Sequence, residues 1–345
     1  KNGINNRMVM LSATPMYNIA DDIVYLLYLL VLNDKRDILK MPLPSLENAN
    51  ETDINTMRQL SSNYISYLRG KNPFAFALEL SPKNFYKDVQ YLEQEFNIDS
   101  NGNEIDEKYS NWLKNIKDSI VVSEMGEYQK KHFQNKNNAN ILNLQNTNIV
   151  YDYDLGEKGF NTFFRRTGNE NGLTVQYNSK YTNALYPDKD HLMKYSGKIN
   201  TISKIIQKTD GIIVIYSGYI WNGIIPMAIC LEHMGFQREE GHNILNKPKI
   251  VNNPPKYNLK RSPKYCILSS DNSDIMKGSS INSLVTKINS DENIDGSQIK
   301  VILITPVASE GLSFYNIREI HIMEPWFHFN KIKQVIGRGI RNCRH

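Results

Sequence analysis

The C-terminal half of this chain predicts an α/β fold, a parallel sheet covered by helices on both faces. Two observations carry that expectation. Short, wholly apolar runs recur (GIIVIYS at 211–217, YCILS at 265–269, VILIT at 301–305), and segments of helical period separate them. Strands apolar throughout, rather than alternating, belong to sheets buried on both faces.

Taken in order, Met8–Leu11 (MVML) reads as a short buried strand running into SATPMYN. Its end would present backbone groups at the C-terminal edge of a sheet, where open α/β folds bind ligands. Asn18, Asp21 or Asp22 can cap the next helix, which is apolar nearly all round to Leu32, hence buried, and stops near Asn33-Asp34. From Leu39 to Tyr195 the chain is rich in asparagine and broken by turn clusters such as Asp99-Ser100-Asn101-Gly102-Asn103. Helical period is read at Phe85–Phe96 and Glu124–Phe133, a solvated loop at Asn135–Asn148, and irregular strands at Tyr151–Asn183. Beyond Ser196 the pattern is regular: helix at Lys198–Lys208, strand at Gly211–Ser217, helix at Ile220–Met234 stopped by Gly235. Strand at Tyr265–Ser269 follows, then a helix capped by Ser279 or Ser280 through Ile288. Strands at Ile299–Thr305 and Glu319–Met323 and a helix at Lys331–Arg341 complete the series.

The chain has 345 residues, 40% hydrophobic and 22% charged, enough for roughly two domains and too apolar for a disordered polymer. Its longest apolar run, Ile23–Leu32, is about half of a membrane span, and Lys1–Arg7 has no hydrophobic signal region. A soluble intracellular protein is expected. Lys plus Arg number 41 against 36 acidic residues, an excess of +5 that does not by itself identify a nucleic-acid partner. Three cysteines without a CxxC pair, and seven histidines without ligand spacing, give no disulfide framework and no metal site.

Three pieces carry chemistry: SATP (Ser12–Pro15), TPVASEGLSF (Thr305–Phe314) and QVIGRGIR (Gln334–Arg341). Gln334, Arg338 and Arg341 are spaced four and three apart, so they share one helix face. Two guanidiniums there, with Gly337 and Gly339 permitting close approach, suit an oxyanion such as a triphosphate.

These pieces resemble motifs III, V and VI of superfamily 2 helicases and translocases. SATPMYNIADDIVYLLYLL, Ser196-Gly197-Lys198-Ile199 and Tyr216-Ser217 are similar to elements of the Swi/Snf-like group, as is VSEMGEYQKKHF between its two lobes. EPWFHFNKIKQVIGRGIRNCRH most resembles the helicase-like ATPases of large nucleocytoplasmic DNA viruses. The resemblance implies a RecA-like second helicase lobe at 196–345, a mixed, mainly helical insert at 39–195, and the tail of a first lobe at 1–38. No GxxxxGK[ST] loop and no DExH or DEAD sequence is present. In that family both precede SATP, so the chain is expected to be a fragment that does not hydrolyse ATP alone.

Residue by residue, the resemblance implies that Arg341, with Arg338, approaches the γ-phosphate and that Gln334 bonds near it. Glu310, Gly311, Ser313 and Gly337 would lie by the nucleotide, Thr305 and Ser217 by nucleic acid, and Ser12 and Thr14 would couple the lobes. The implied cofactor is ATP with Mg2+, bound mainly by the first lobe. The implied partners are nucleic acid, duplex DNA by preference, and transcription-complex proteins, in a virion or viral factory and without a membrane. A non-catalytic nucleic-acid-binding scaffold is the alternative.

Overall fold

A computed structural model describes residues 7–11, 21–36, 44–46, 49–66, 78–93, 104, 117–134, 141–152, 154–168, 172–252, 254, 262–269, 280–306, 312–324 and 329–340. The chain divides into two compact units, residues 1–71 with 326–333 and residues 72–325 with 334–345.

In the first unit α1 (Asp22–Asn33) buries Val24, Leu27, Tyr28 and Val31 against Leu60 of α2 (Glu51–Tyr64). Asn50 and Asp53 close α2 with a reciprocal capping box. Three expectations change here. Tyr25 and Leu32 are exposed, so α1 is buried on one face rather than all round. Asp21 stands at the N-cap of α1 without capping it; its carboxylate accepts from the Leu46 N–H at 2.5 Å and the Ser45 hydroxyl at 3.3 Å. Met8–Leu11 is not a strand, and Val9 and Leu11 are 80% and 94% exposed. Its apolar run has no sheet partner among the described residues, and a strand without a ladder has no backbone bonds to hold it.

The second unit begins with a 3₁₀ turn at Pro82–Asn84 and the two-residue strands β1 (Gln90–Tyr91) and β2 (Val121–Val122), paired antiparallel. The helix expected at 85–96 is absent over its described part. Tyr86 is instead held by its hydroxyl to Thr209 (2.9 Å) and Glu319, so tertiary contacts override the local period. Then come α3 (Glu127–Gln134) and α4 (Ile141–Asn148), the latter in place of the expected solvated loop. The region expected as irregular strands holds α5 (Gly156–Phe163) and the hairpin β3 (Phe164–Gly168)–β4 (Thr174–Tyr177). Helices α6 (Leu192–Tyr195) and α7 (Gly197–Ile206) follow.

The sheet that positions the site comprises β5 (Ile212–Tyr216), β6 (Gln237–Arg238), β7 (Lys264–Leu268), β8 (Val301–Ile304) and β9 (Ile317–Ile322), in the order β6-β7-β8-β5-β9. Every neighbouring pair is parallel, with Ile213 opposite Val301 and Val214 opposite Ile320. Helix α8 (Ile225–His233) follows a π turn at Ile220–Ile224, and α9 (Ile281–Ile288) and α10 (Phe329–Gly339) follow β7 and β9. One sheet face (Ile213, Ile215, Leu303) packs on Ile199, Ile206 and Ile229 of α7 and α8. The other (Val214, Tyr216, Ile302) packs on Leu284 and Ile288 of α9 and Val335 of α10. Each such side chain contributes about 1.5–3 kcal/mol by leaving water. This is the expected α/β, RecA-like architecture, with helices on both faces.

Candidate functional site

The C-terminal ends of the strands gather polar side chains in a shell otherwise apolar: Ser217 after β5, Ser269 after β7, Thr305 after β8 and Glu324 after β9. All four are buried. The Thr305 hydroxyl donates to Ser269 Oγ at 3.3 Å, and the Thr305 N–H continues the ladder to the Leu268 carbonyl.

Glu324 is the centre of this edge. Its carboxylate accepts from Asn148 Nδ2 at 2.7 Å, from the Ser217 hydroxyl at 3.0 Å and from the Gly218 N–H. Burial pushes its carboxyl above the usual range, while those donors and the Lys198 charge pull it back. Lys198 Nζ donates to Asn148 Oδ1 at 2.7 Å and to Thr147 Oγ1 at 2.9 Å, and burial lowers its ammonium to about 8. Gly223 leaves the space for this cluster: a Cβ there would overlap Ser217 Oγ and lie 2.8 Å from Ser217 Cβ.

The segment similar to the inter-lobe element packs beside it. Gln129, fully buried on α3, donates to the Asn146 carbonyl at 3.0 Å and accepts from the Gly197 N–H at 3.0 Å. Ser196 caps α7, its Oγ accepting from the Ile199 N–H at 3.0 Å while donating to the Asn148 carbonyl. The VSEMGEYQ and SGK elements of the sequence are thus joined through Gln129 and Asn148.

Helix α10 carries Gln334 and Arg338 of the arginine motif. Gly339 allows it to lie on β9, since a Cβ there would come 2.9 Å from Ile320 Cδ1 and 3.1 Å from Ile317 Cβ. Arg338 Nη1 donates to the Leu312 carbonyl at 3.3 Å, and the Phe314 N–H donates to the Arg338 carbonyl at 3.0 Å. Arg338 is therefore tied to the β8–β9 connection, next to Ser313, whose carbonyl accepts from Asn289 Nδ2 at 2.9 Å. Gln334 and Gly337 are half-buried on the same helix, and nothing stands within 4 Å of a Cβ at Gly337.

Of the residues predicted from sequence, Gln334, Gly337, Arg338 and Ser313 belong to this α10 region. Ser217 and Thr305 are placed at the sheet edge, where both hydroxyls bond inside the protein and neither reaches the surface. Arg341, Glu310, Gly311, Ser12 and Thr14 lie outside the described residues. Sequence reasoning assigned no role to Gln129, Asn148, Lys198 or Glu324. Lys198 and Glu324 were visible within SGK and EPW, whereas nothing in the sequence marks Asn148. Among the described residues no group of three His, Cys, Asp or Glu side chains could hold a metal ion, and no helix is long and apolar enough to cross a membrane. Cys230 and Cys266 are buried free thiols.

No family model matches the chain. It is 26% identical over 360 residues, 99% of its own length and 52% of the relative's, to a protein of Acanthamoeba polyphaga mimivirus that carries the name of an ATP-dependent RNA helicase. It is 30% identical over 192 residues to a termination factor NPH-I homolog of African swine fever virus, covering 50% of this chain and 27% of that protein. It is 28% identical over 226 residues to the early transcription factor 70 kDa subunit of Yaba monkey tumor virus, covering 64% of this chain and 33% of that one. The chain thus spans about half the length of the first relative and less of the others. The RecA-like sheet and the sequence QxxGRxxR agree with these likenesses: the relatives the chain matches are viral helicase-like proteins and transcription factors, and the chain is similar to that superfamily 2 group.

Proposed function

We propose that this chain supplies the arginine-bearing lobe, residues 196–345, of an ATP-driven, nucleic-acid-stimulated translocase acting in viral transcription. The observation that carries the reading is the seating of α10: Gly339 sets the helix against β9, and Arg338 is bound to the β8–β9 connection, in a family whose members are named as helicases and transcription factors. The sequence contains paired arginines but no GxxxxGK[ST] loop. The phosphate loop and the Mg2+ ligands are therefore assigned to the part of the relatives that this chain does not span. ATP with Mg2+ supplies a transferable γ-phosphoryl group. Arg341, helped by Arg338, offsets the charge that builds on it, and Gln334 orients groups beside it. Residues 39–195 would be the insert between lobes.

Duplex DNA is the proposed track, gripped through its phosphate backbone. The test is ATP hydrolysis by the full-length protein carrying this chain, with duplex DNA, single-stranded DNA or RNA added, for the wild type and Arg341→Ala. A finger that acts in the transition state is worth on the order of a thousandfold in kcat, with much less change in ATP binding. Turnover of Arg341→Ala within a fewfold of wild type would remove it from the role, and stimulation by RNA alone would replace the DNA track.

A further inference from the structure

At the sheet's C-terminal edge, the buried carboxylate of Glu324 has surroundings that exceed what packing needs. Glu324 follows β9 directly; the Met323 N–H still bonds the Tyr216 carbonyl at 3.0 Å, and α10 starts at Phe329. Three donors from two other segments converge on it: Asn148 Nδ2, the Ser217 hydroxyl and the Gly218 N–H. The Ser217 hydroxyl is itself aimed by the Tyr219 N–H, which donates to it at 3.1 Å.

The orientation of Asn148 follows from its partners. An ammonium can only donate and a carboxylate can only accept, so the amide must turn its oxygen to Lys198 and its NH2 to Glu324. The three side chains form a directional relay, with Lys198 as the counter-charge held one residue away from the carboxylate. Breaking a buried charged group from its partners is far more disruptive than losing a surface pair.

We propose that Glu324 is a positioning residue. Its carboxylate, held by Ser217, Gly218 and the Lys198–Asn148 relay, anchors the C-terminal end of β9, the strand against which Gly339 seats α10, and so the placement of Arg338. This rests on the functional reading above. Lys198 acts through Asn148, not on the nucleotide.

The experiment uses the full-length protein carrying this chain and compares nucleic-acid-stimulated ATP hydrolysis and thermal midpoint for wild type, Glu324→Gln, Lys198→Met and the double variant. A neutral amide at 324 offers a donor where Asn148 already donates, so kcat should fall roughly ten- to a hundredfold, the loss expected when reacting groups are slightly misplaced. KM for ATP should stay within about twofold, since ground-state binding is not removed. Lys198→Met should lower kcat less, and the double variant should be no worse than Glu324→Gln, because both cut one relay. Should Glu324→Gln not fold, the partly buried Lys198 carries the test alone, as a fall in kcat at unchanged KM. Unchanged kcat, a rise in KM alone, or fully additive losses would each overturn the proposal. A wild type unresponsive to every nucleic acid would overturn the functional reading, and this inference with it. An active wild type with an equally active Glu324→Gln overturns this inference only.

Discussion

Gly197 and Glu124 meet backbone to backbone. A Cβ on Gly197 would overlap the Glu124 carbonyl oxygen and come within 2.7 Å of its carbon and 3.3 Å of Met125 Cα. Gly126 makes the reciprocal approach, since a Cβ there would overlap the Met193 carbonyl oxygen and lie 3.2 Å from its carbon. The segment entering α3 is laid against α6 and the start of α7 with glycines at both points of contact. Backbone carbonyls cannot swing aside as the end of a lysine could, so the two elements move apart or not at all.

Gly197→Ala should therefore destabilise the protein by about 2 kcal/mol or more, at the upper end of overpacking effects. Gly156→Ala is the matched control: its φ is +62° but nothing lies within 4 Å, so only the left-handed backbone is strained, for about 1 kcal/mol. Urea denaturation of both variants measures the difference. Equal losses would mean that the close approach at Gly197 is not what requires glycine.

A second prediction comes from adjacent buried groups on α8. His233 Nε2 faces the Tyr177 hydroxyl at 2.9 Å and Nδ1 faces the Lys249 carbonyl at 2.7 Å. The Lys249 carbonyl can only accept, so Nδ1 carries a proton, and in the neutral ring Nε2 accepts from the Tyr177 hydroxyl. Burial lowers the imidazole from 6.5 to about 4. Glu232 goes the other way: burial raises its carboxyl from 4.5 to about 7 against donation from Tyr265 Oη (2.5 Å) and the N–H groups of Ile244 and Leu245.

Between pH 4.5 and 6.5 the two effects oppose. A depressed histidine gives stability that is present above its unfolded value and lost as pH falls. A raised carboxyl gives stability that is lost as pH rises. Relative to wild type, His233→Gln should thus lose stability as pH increases across this window, and Glu232→Gln should gain it. Denaturation midpoints at three pH values read the slopes. Parallel slopes in all three proteins would show that neither group titrates differently on folding.

The sheet strands were legible because they are buried on both faces, and a run such as VILIT has no other comfortable setting. Residues 141–148 were not, because asparagine usually marks solvent and here serves burial. Asn148 is fully buried precisely where its amide satisfies both a donor and an acceptor, and Asn146 supplies the carbonyl that Gln129 needs. At 85–96 the apolar period predicts a helix, whereas Tyr86 is taken up by Thr209 and Glu319, far along the chain. The helix that carries Gln334 and Arg338 follows from local spacing alone. The Lys198–Asn148–Glu324 relay does not, since its members come from three distant segments that only the crossing of the chain brings together.

Arg338 and Arg341 should separate by stability. Arg338 is half-buried and bonds the Leu312 carbonyl, so Arg338→Ala removes a charge-assisted hydrogen bond and the packing of its stem. A loss of about 1.5–3 kcal/mol is expected. Arg338→Gln, which keeps a donor, should recover part of it. Thermal unfolding of this chain is the measurement. An unchanged midpoint for Arg338→Ala would mean that the bond to Leu312 contributes nothing to stability.

The last prediction concerns nucleic acid. A lobe that grips phosphates rather than base edges binds without sequence preference, and its affinity comes from the counterions it displaces. The excess charge of this chain is only +5 and is spread over 345 residues, so few phosphates can be neutralised at once. Non-specific complexes have Kd of about 10⁻⁴–10⁻⁶ M at physiological salt, and this chain alone should fall at or beyond the weak end. Affinity should decline with salt along a shallow log–log line, because the slope counts the few phosphates contacted. Titrating labelled duplex DNA, single-stranded DNA and RNA of scrambled sequence at two salt concentrations gives both quantities. Tight binding that ignores salt and prefers one sequence would require readout of base edges, and a translocase would then be the wrong description of this chain.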